Sequence, residues 1–599
     1  MSEFSAPVTD ISFTIDALIG MENLSDLPGH EEATPDMVQA ILNEAGKFGE
    51  EILAPLNRSG DIEGCRLENG VVRTPEGFID AYRQMAEGGW LSISADPEYG
   101  GQGLPALLSI VAFDIWNAAN MGFNLVPLLS LSAIDLFEQH ASKEQCEIFL
   151  PHIVAGEWAA TMNLTEPQAG SDLGQLRTKA VKNSDHYLIS GQKIFISGGD
   201  QDMSDNIVHL VLARTPDAPP GTRGISLFIV PKFLVNDDGS LGDRNDIRVV
   251  SIEEKLGIHG SATCVMSYGD DGGAIGYLVG EENQGLQGMF TMMNMSRTTV
   301  GVQGVGIIER AYQQAVAYAK ERKQGSRRNA NGKFETSAII EHPDVKRMLL
   351  DMKIRREASR ALEVYAGHCM DVSRRHADEE VRKKFDARTA LLTPIVKAWA
   401  TDRAIEATSL GIQVHGGLGY IEETGAAQHY RDARITAIYE GSNGIQANDL
   451  IGRKIIREQG ETLFDVLREI EEFTTSAFVE QPDELMELGR QLAEAARHLK
   501  AVTDWLLQTW SENEDRVLAS ATKYMTLVGN VIGGWLMARM ALTAHRKNSE
   551  VDSDQLFNDG KLQTAYYFGH VFLNDCDALR AGIAGASEPV TRMDQTQFV

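Results

Sequence analysis

Tyr187-Leu188-Ile189-Ser190-Gly191-Gln192-Lys193-Ile194-Phe195-Ile196 decides the fold class. It is rich in β-branched and aromatic residues and reads as strand. Outward from it, Ile207 to Ala213 alternates, and Gly224 to Val230 (GISLFIV) is an unbroken apolar run of the kind found in strands buried on both faces. Val265 to Tyr268 and Ile275 to Val279 complete the set, with turn clusters at Asn183-Ser184-Asp185 and Asp237-Asp238-Gly239. Residues 159–280 are therefore expected to form an all-β domain, a barrel or sandwich, with Lys232 to Asp246 as an excursion between strands.

On both sides the period changes to helical. Residues 1–35 carry Pro7, Pro28 and Pro35 and are expected to be an N-terminal extension packed on another element. Residues 36–158 read as a helical domain. Met37, Ile41, Ala45, Phe48 and Ile52 mark one helix, and Leu107 to His140 reads as two apolar helices. Pro97 to Gly103 is a tight loop, and Lys143 to Ile153 is a short amphipathic helix ended by Gly156. Residues 281–458 hold long helices at Gly285–Arg322, His342–Arg374 and Glu379–Gly411, the last with Arg388, Lys397 and Arg403 on its expected polar side. Gln459-Gly460 marks a boundary. Residues 459–599 form an additional helical domain with stretches at 461–478, 483–510, 515–547 and 559–585, its core marked by Trp505, Trp510 and Trp535.

The 599 residues exceed what one core supports. A formal net charge of −30 excludes a general nucleic-acid or anionic-membrane surface while leaving room for a local basic pocket. Five scattered cysteines without CxxC spacing give no disulfide framework or zinc site, as expected in a reducing cytoplasm. The N-terminus lacks the basic and apolar regions of a signal peptide. The apolar run between Lys523 and Arg539 contains Asn530, is shorter than a membrane span, and reads as a buried helix.

One further stretch carries chemistry: Tyr439-Glu440-Gly441-Ser442-Asn443-Gly444-Ile445-Gln446. A lone carboxylate lies between an aromatic residue and a Gly-Ser-Asn-Gly run, with mostly apolar sequence on both sides. Partial desolvation would raise its pKa and make it a better base. Taken by themselves, these eight residues fit a surface Glu at a helix–loop junction better.

Four other segments change that balance. Leu164-Thr165-Glu166-Pro167-Gln168-Ala169-Gly170-Ser171-Asp172-Leu173-Gly174 offers hydroxyls and N–H groups, with a Gly-Ser step that lets backbone approach a phosphate. Gly191 to Gly199 is a strand running into a Gly-Gly turn. Tyr318 to Gly325 ends a helix in cations, and Gln413-Val414-His415-Gly416-Gly417-Leu418-Gly419-Tyr420 is glycine-rich without the preceding strand of a Rossmann fingerprint. Together, over about residues 37–455, they resemble the acyl-CoA dehydrogenase flavoprotein family.

The resemblance implies an α+β fold: an N-terminal helical domain, a central β-barrel or sandwich, and a C-terminal helical bundle, here with the extra C-terminal domain. It implies FAD, with Met162, Leu164, Thr165, Gly170, Ser171, Phe195 (where Trp is usual), Ser197, Arg322, Gln413, Gly417 and Ser442 as its contacts. His415 is expected to be structural. The acyl-CoA is expected to meet Ser171, Asn294, Arg297, Tyr439 and Gly441. Glu440 is expected to take the α-proton while the β-hydrogen leaves as hydride to the flavin N5, giving a trans-2-enoyl-CoA without a metal. The family's other location for the base corresponds to Ser296, which cannot serve. Ser442-Asn443-Gly444 departs from the usual Thr-Ser-Gln, so a family Gln contact to FAD is lost or supplied elsewhere.

The opening MSEFSAPVTDISFTI and the region after 460 resemble an enlarged bacterial subgroup, implying 3-methylthiopropionyl-CoA as substrate. The alternatives are a medium- or long-chain fatty acyl-CoA, an acyl-CoA oxidase, and a silent FAD- or CoA-binding protein. Met289, Met292, Met293 and Met295 could suit a thioether chain, though core packing is the commoner use of such residues. An electron-transferring flavoprotein is the implied acceptor and a cytoplasmic homodimer the implied state.

Overall fold

The computed structural model describes residues 4–236, 238–328, 331–550 and 553–598, so Asp237 of the second turn cluster lies outside the described residues. Two compact units make up the chain: Asn43–Thr299, and a discontinuous one formed by Met1–Leu42 with Val300–Val599.

In the contiguous unit a sheet of eight strands runs in the order Ile247–Ile252, Thr263–Tyr268, His186–Ser197, Ala274–Val279, Ser226–Pro231, Asn206–Ala213, Trp158–Asn163, with Lys179–Asn183 also on His186–Ser197. Pairing is antiparallel except between Trp158–Asn163 and Asn206–Ala213. Every residue of Asn206–Ala213 is buried. Val208, Leu210 and Leu212 enter one apolar cluster, while Val211 and Ala213 enter another, which is why the strand reads as a continuous apolar run.

The long strand His186–Ser197 serves two sets of neighbours. Up to Ser190 it pairs with Lys179–Asn183 and Ala274–Gly276, and from Gly191 onward with Thr263–Tyr268. Gly191 has φ 151°, and a Cβ there would lie 2.6 Å from the Thr178 Oγ1, so glycine is required at this change of partner. The excursion between Lys232 and Asp246 contains a small hairpin, Phe233–Val235 with Leu241–Arg244.

Ala106–His140 is one run of helix broken at Asn120 (φ −158°, ψ 89°), matching the two helices expected there. Asn120 takes over a capping role at the break, its Oδ1 accepting the Phe123 N–H at 3.1 Å. This helix and Ala521–Lys547 are long and apolar enough to cross a membrane, but their most apolar windows are 100% and 83% buried inside the protein.

The discontinuous unit is helical. Its core pair is Pro343–Arg375 and Glu379–His415, with Val8–Leu18, Glu461–Ser476, Asp483–Trp510, Ala521–Lys547, Gln555–Phe568 and Asp575–Arg592 around them. The N-terminal extension docks as the helix Val8–Leu18, whose Ile11 and Ile15 are fully buried. The break at Gln459-Gly460 has two successive left-handed residues, φ 54° and 74°. The third and fourth late stretches are each divided, by a turn before Ala521 and by a π-turn at Gly569–Leu573.

Arg388, Lys397 and Arg403 do not form a polar face: they are 3%, 0% and 7% exposed. Each has a specific partner that permits burial. Arg388 makes a fork to Glu469 at 2.7 and 2.8 Å, Lys397 bonds Asn443, and Arg403 bonds Glu406 beneath the rings of Trp399 and Phe572.

Candidate functional site

Glu440 sits on a turn between the helices Ala426–Thr436 and Asn443–Asp449. It has φ 55° and is followed by Gly441 at φ 81°. Left-handed conformation is uncommon for a residue with a Cβ and marks places where local strain is held by surrounding structure. Tyr439 beside it bonds Gln303 through its hydroxyl, and burial, then the Glu440 charge, push the phenol well above its ordinary pKa. Gln446 reaches back with its Nε2 to the Glu440 carbonyl at 3.2 Å and the Gly441 carbonyl at 3.4 Å. Ser442 is the N-cap residue of the following helix without a capping bond from its side chain.

Gln413 and Gly417 are exposed where Glu379–His415 ends. Gly416 and Gly417 have no atom within 4 Å of where a Cβ would stand, so backbone is open to a ligand. His415 is structural, as expected: its ring stacks on Tyr318 at 4.4 Å and its Nδ1 lies 2.7 Å from the Gly411 carbonyl oxygen. Arg322 is exposed between the helix Gly285–Glu321 and the hairpin Lys323–Arg328/Phe334–Ala338, an element the sequence reading missed.

The other candidate residues lie in the sheet unit. Met162 is the penultimate residue of Trp158–Asn163, Leu164 comes directly after that strand, and Thr165 is half-buried beside it. Gly170 and Ser171 are exposed, and no atom stands within 4 Å of a Cβ built on Gly170. Phe195 is 60% exposed at φ 60° on a β-bulge, where Ile194 and Phe195 together oppose Val265. Ser197 ends the same strand.

These segments are joined by a buried pair that the sequence reading did not single out. Lys193 Nζ donates to Glu166 Oε1 and to the Leu164 carbonyl, both at 2.9 Å, and the Ile194 N–H donates to the Thr165 carbonyl. Glu166 also accepts from the Arg177 and Thr178 N–H groups, the Thr178 hydroxyl and Gln168. Burial would raise the Glu166 carboxyl, but Lys193 and these donors hold it at about 2. Burial pushes the Lys193 ammonium down to about 8 against the attraction of Glu166, so both are ionised near neutrality. A Lys inside an apolar strand was the available signal; the partner it requires was not identifiable from spacing.

Arg297 is 6% exposed and donates to Asn294 Oδ1 at 3.2 Å, one turn apart on a helix. Met289, Met292 and Met293 belong to the apolar core of the sheet unit, and Met295 is also buried. No group of three or more metal-ligating side chains occurs among the described residues.

In the sheet unit, an exposed aromatic ring with hydroxyls at Thr165 and Ser197 suits the face and edge of a flat heteroaromatic ring; in the helical unit, the open glycine backbone and the Arg322 guanidinium each suit a phosphate. Comparison with known proteins then decides the family. Models described as acyl-CoA dehydrogenase N-terminal, middle and C-terminal domains match residues 36–157, 161–270 and 283–455, and one described as acetyl-CoA dehydrogenase C-terminal like matches 466–594. A 3-methylmercaptopropionyl-CoA dehydrogenase of Ruegeria pomeroyi is 45% identical over 587 residues, 98% of each chain. The chain belongs to the acyl-CoA dehydrogenase family. As such it is an oxidoreductase. A butyryl-CoA dehydrogenase of Syntrophomonas wolfei is 35% identical over 93% of each chain. The crystal structure of a Bacillus anthracis acyl-CoA dehydrogenase complexed with FAD shares the fold, with TM-score 0.74 at 20% identity over 99% of this chain and 93% of that one.

Proposed function

We propose that this acyl-CoA dehydrogenase oxidises 3-methylthiopropionyl-CoA to the trans-2-enoyl thioester, with Glu440 removing the α-proton. The reading rests on the 45% identity to the Ruegeria pomeroyi protein across 98% of both chains, including the N-terminal extension and the C-terminal addition. The buried methionines contribute nothing to it, since three of them fill an apolar core.

FAD is the cofactor; when bound, it supplies the acceptor for the β-hydrogen and its electron pair. Phe195, Thr165, Ser197, Gly170, Ser171, Met162 and Leu164 would hold its ring, and Arg322, Gln413, Gly417 and Ser442 would hold the diphosphate and adenosine half. Glu440 takes the α-proton on its carboxylate, and its backbone N–H donates to the thioester oxygen, stabilising the charge that develops there. Tyr439 and Gly441 shape the acyl end, while Ser171, Asn294 and Arg297 face the CoA. An electron-transferring flavoprotein accepts the electrons, the enzyme works as a homodimer, and five free cysteines suit a reducing cytoplasm.

Anaerobic titration of the yellow holoenzyme with an acyl-CoA panel tests the reading. Loss of flavin absorbance with 3-methylthiopropionyl-CoA and little with octanoyl- or palmitoyl-CoA is expected, as is its absence in Glu440→Gln. Bleaching mainly by straight chains, the direction in which the butyryl-CoA relative points, would overturn the substrate and keep the chemistry. Stoichiometric hydrogen peroxide in air would make the enzyme an oxidase.

A further inference from the structure

The turn that presents Glu440 has two successive residues in the left-handed region, Glu440 and Gly441. Only the second is a glycine, so the turn persists because neighbouring bonds over-determine it. Asn443 supplies most of them. Its N–H donates to the Ala437 carbonyl at 3.0 Å and closes the loop across Glu440. Its side chain, 9% exposed, is locked to the helix Glu379–His415: Oδ1 accepts from Lys397 Nζ at 2.8 Å, and Nδ2 faces Asp402 Oδ1 at 2.7 Å, Thr401 Oγ1 at 2.9 Å and the Ala398 carbonyl at 3.1 Å. The chemistry fixes which end is which, because an ammonium can only donate and a carbonyl or carboxylate can only accept. A carboxylate at this position would face Asp402, and a serine could not span both sides.

We infer that Asn443, pinned by the fully buried Lys397, is a positioning residue for the proton-abstracting Glu440. The inference rests on the reading of Glu440 as the base. The amide couples the strained turn to a rigid helix, so the backbone that carries the carboxylate keeps one placement relative to that helix. Gln446 braces the same turn from its other side through the Glu440 and Gly441 carbonyls.

The test uses holoenzyme variants Asn443→Ala and Asn443→Asp, with Glu440→Gln as reference, assayed on protonated and α-dideuterated acyl-CoA. Both Asn443 variants are expected to lose about 10²-fold in kcat per bound flavin, since small misplacements of a reacting group cost that much. KM should change little, and the α-deuterium isotope effect should rise as proton removal becomes more limiting. Unchanged kcat per flavin and unchanged isotope effect, with only a lowered melting temperature, would make Asn443 merely structural and overturn the inference. If Asn443→Ala does not fold, Asn443→Ser, which keeps a hydroxyl toward Lys397, is read by the same two criteria. Turnover surviving in Glu440→Gln would instead remove the base itself, a failure distinguishable from loss of the positioning role alone.

Discussion

Phe195 and the Glu166–Lys193 pair show how single residues shape the exposed end of the strand His186–Ser197. Phe195 spends 60% of its surface on solvent in a backbone conformation that glycine adopts at no steric cost. Phe195→Gly should therefore stabilise the apoprotein by about 1 kcal/mol and weaken FAD binding, measured by thermal melts without cofactor and by calorimetric titration with it. Glu166 has a folded pKa of about 2 against an ordinary 4.5, so its stabilisation is complete above that ordinary value and is lost as pH falls toward the lower one. The amount is about 3 kcal/mol. Glu166→Gln should flatten that acid limb in urea melts and, by leaving Lys193 buried without its counter-charge, cost about 3–5 kcal/mol at pH 7. Lys193, Glu166 and Asn443 stand in the same quoted stretches as Phe195 and Glu440, yet their bonding was not legible there, because their meaning lies in partners 11 to 46 residues away.

At the scale of elements, the long helices and doubly buried strands were legible, because a helical period or an unbroken apolar run repeats the same signal many times. Lys179–Asn183 was not, since only Ala180 of its five residues is buried. Nor was Trp158–Asn163, which follows directly on helical sequence, or the wholly exposed strand Lys323–Arg328. The polar side expected for Glu379–His415 failed for a related reason: a buried cation looks like a surface one until its partner helix is in place. That helix meets Ala521–Lys547 where a Cβ on Gly529 would lie 2.2 Å from the Trp399 ring, itself bonded through Nε1 to Asn530 at 3.0 Å. Gly529→Ala should overpack this crossing by about 1–3 kcal/mol. A lower melting temperature with altered tryptophan emission would show it, and an unchanged melting curve would mean the crossing can open without cost.

Across the whole molecule, charges from distant parts of the chain converge inside the helical unit. Arg360 donates to Asp10 at 2.6 Å and to Glu309 at 2.8 Å, Arg356 lies between Glu309 and Glu357, and Lys561 contacts both Asp10 and Glu357. Burial would raise the Asp10 carboxyl, but Lys561, Arg356 and Arg360 hold it well below the usual range. Asp10→Asn should cost about 3–5 kcal/mol by leaving these cations short of a carboxylate. Hydrogen exchange should speed in both Val8–Leu18 and Gln555–Phe568; protection lost only near the substitution would sink the idea of one shared network. The discontinuity of this unit sets a schedule for biosynthesis. Residues 43–299 leave the ribosome as an uninterrupted set, whereas the opening helix must wait for a lysine that emerges 551 residues after Asp10. At common elongation rates that delay is roughly half a minute to two minutes, during which Ile11, Phe13 and Ile15 of the nascent chain lack their full set of final partners and need shielding from other apolar surfaces.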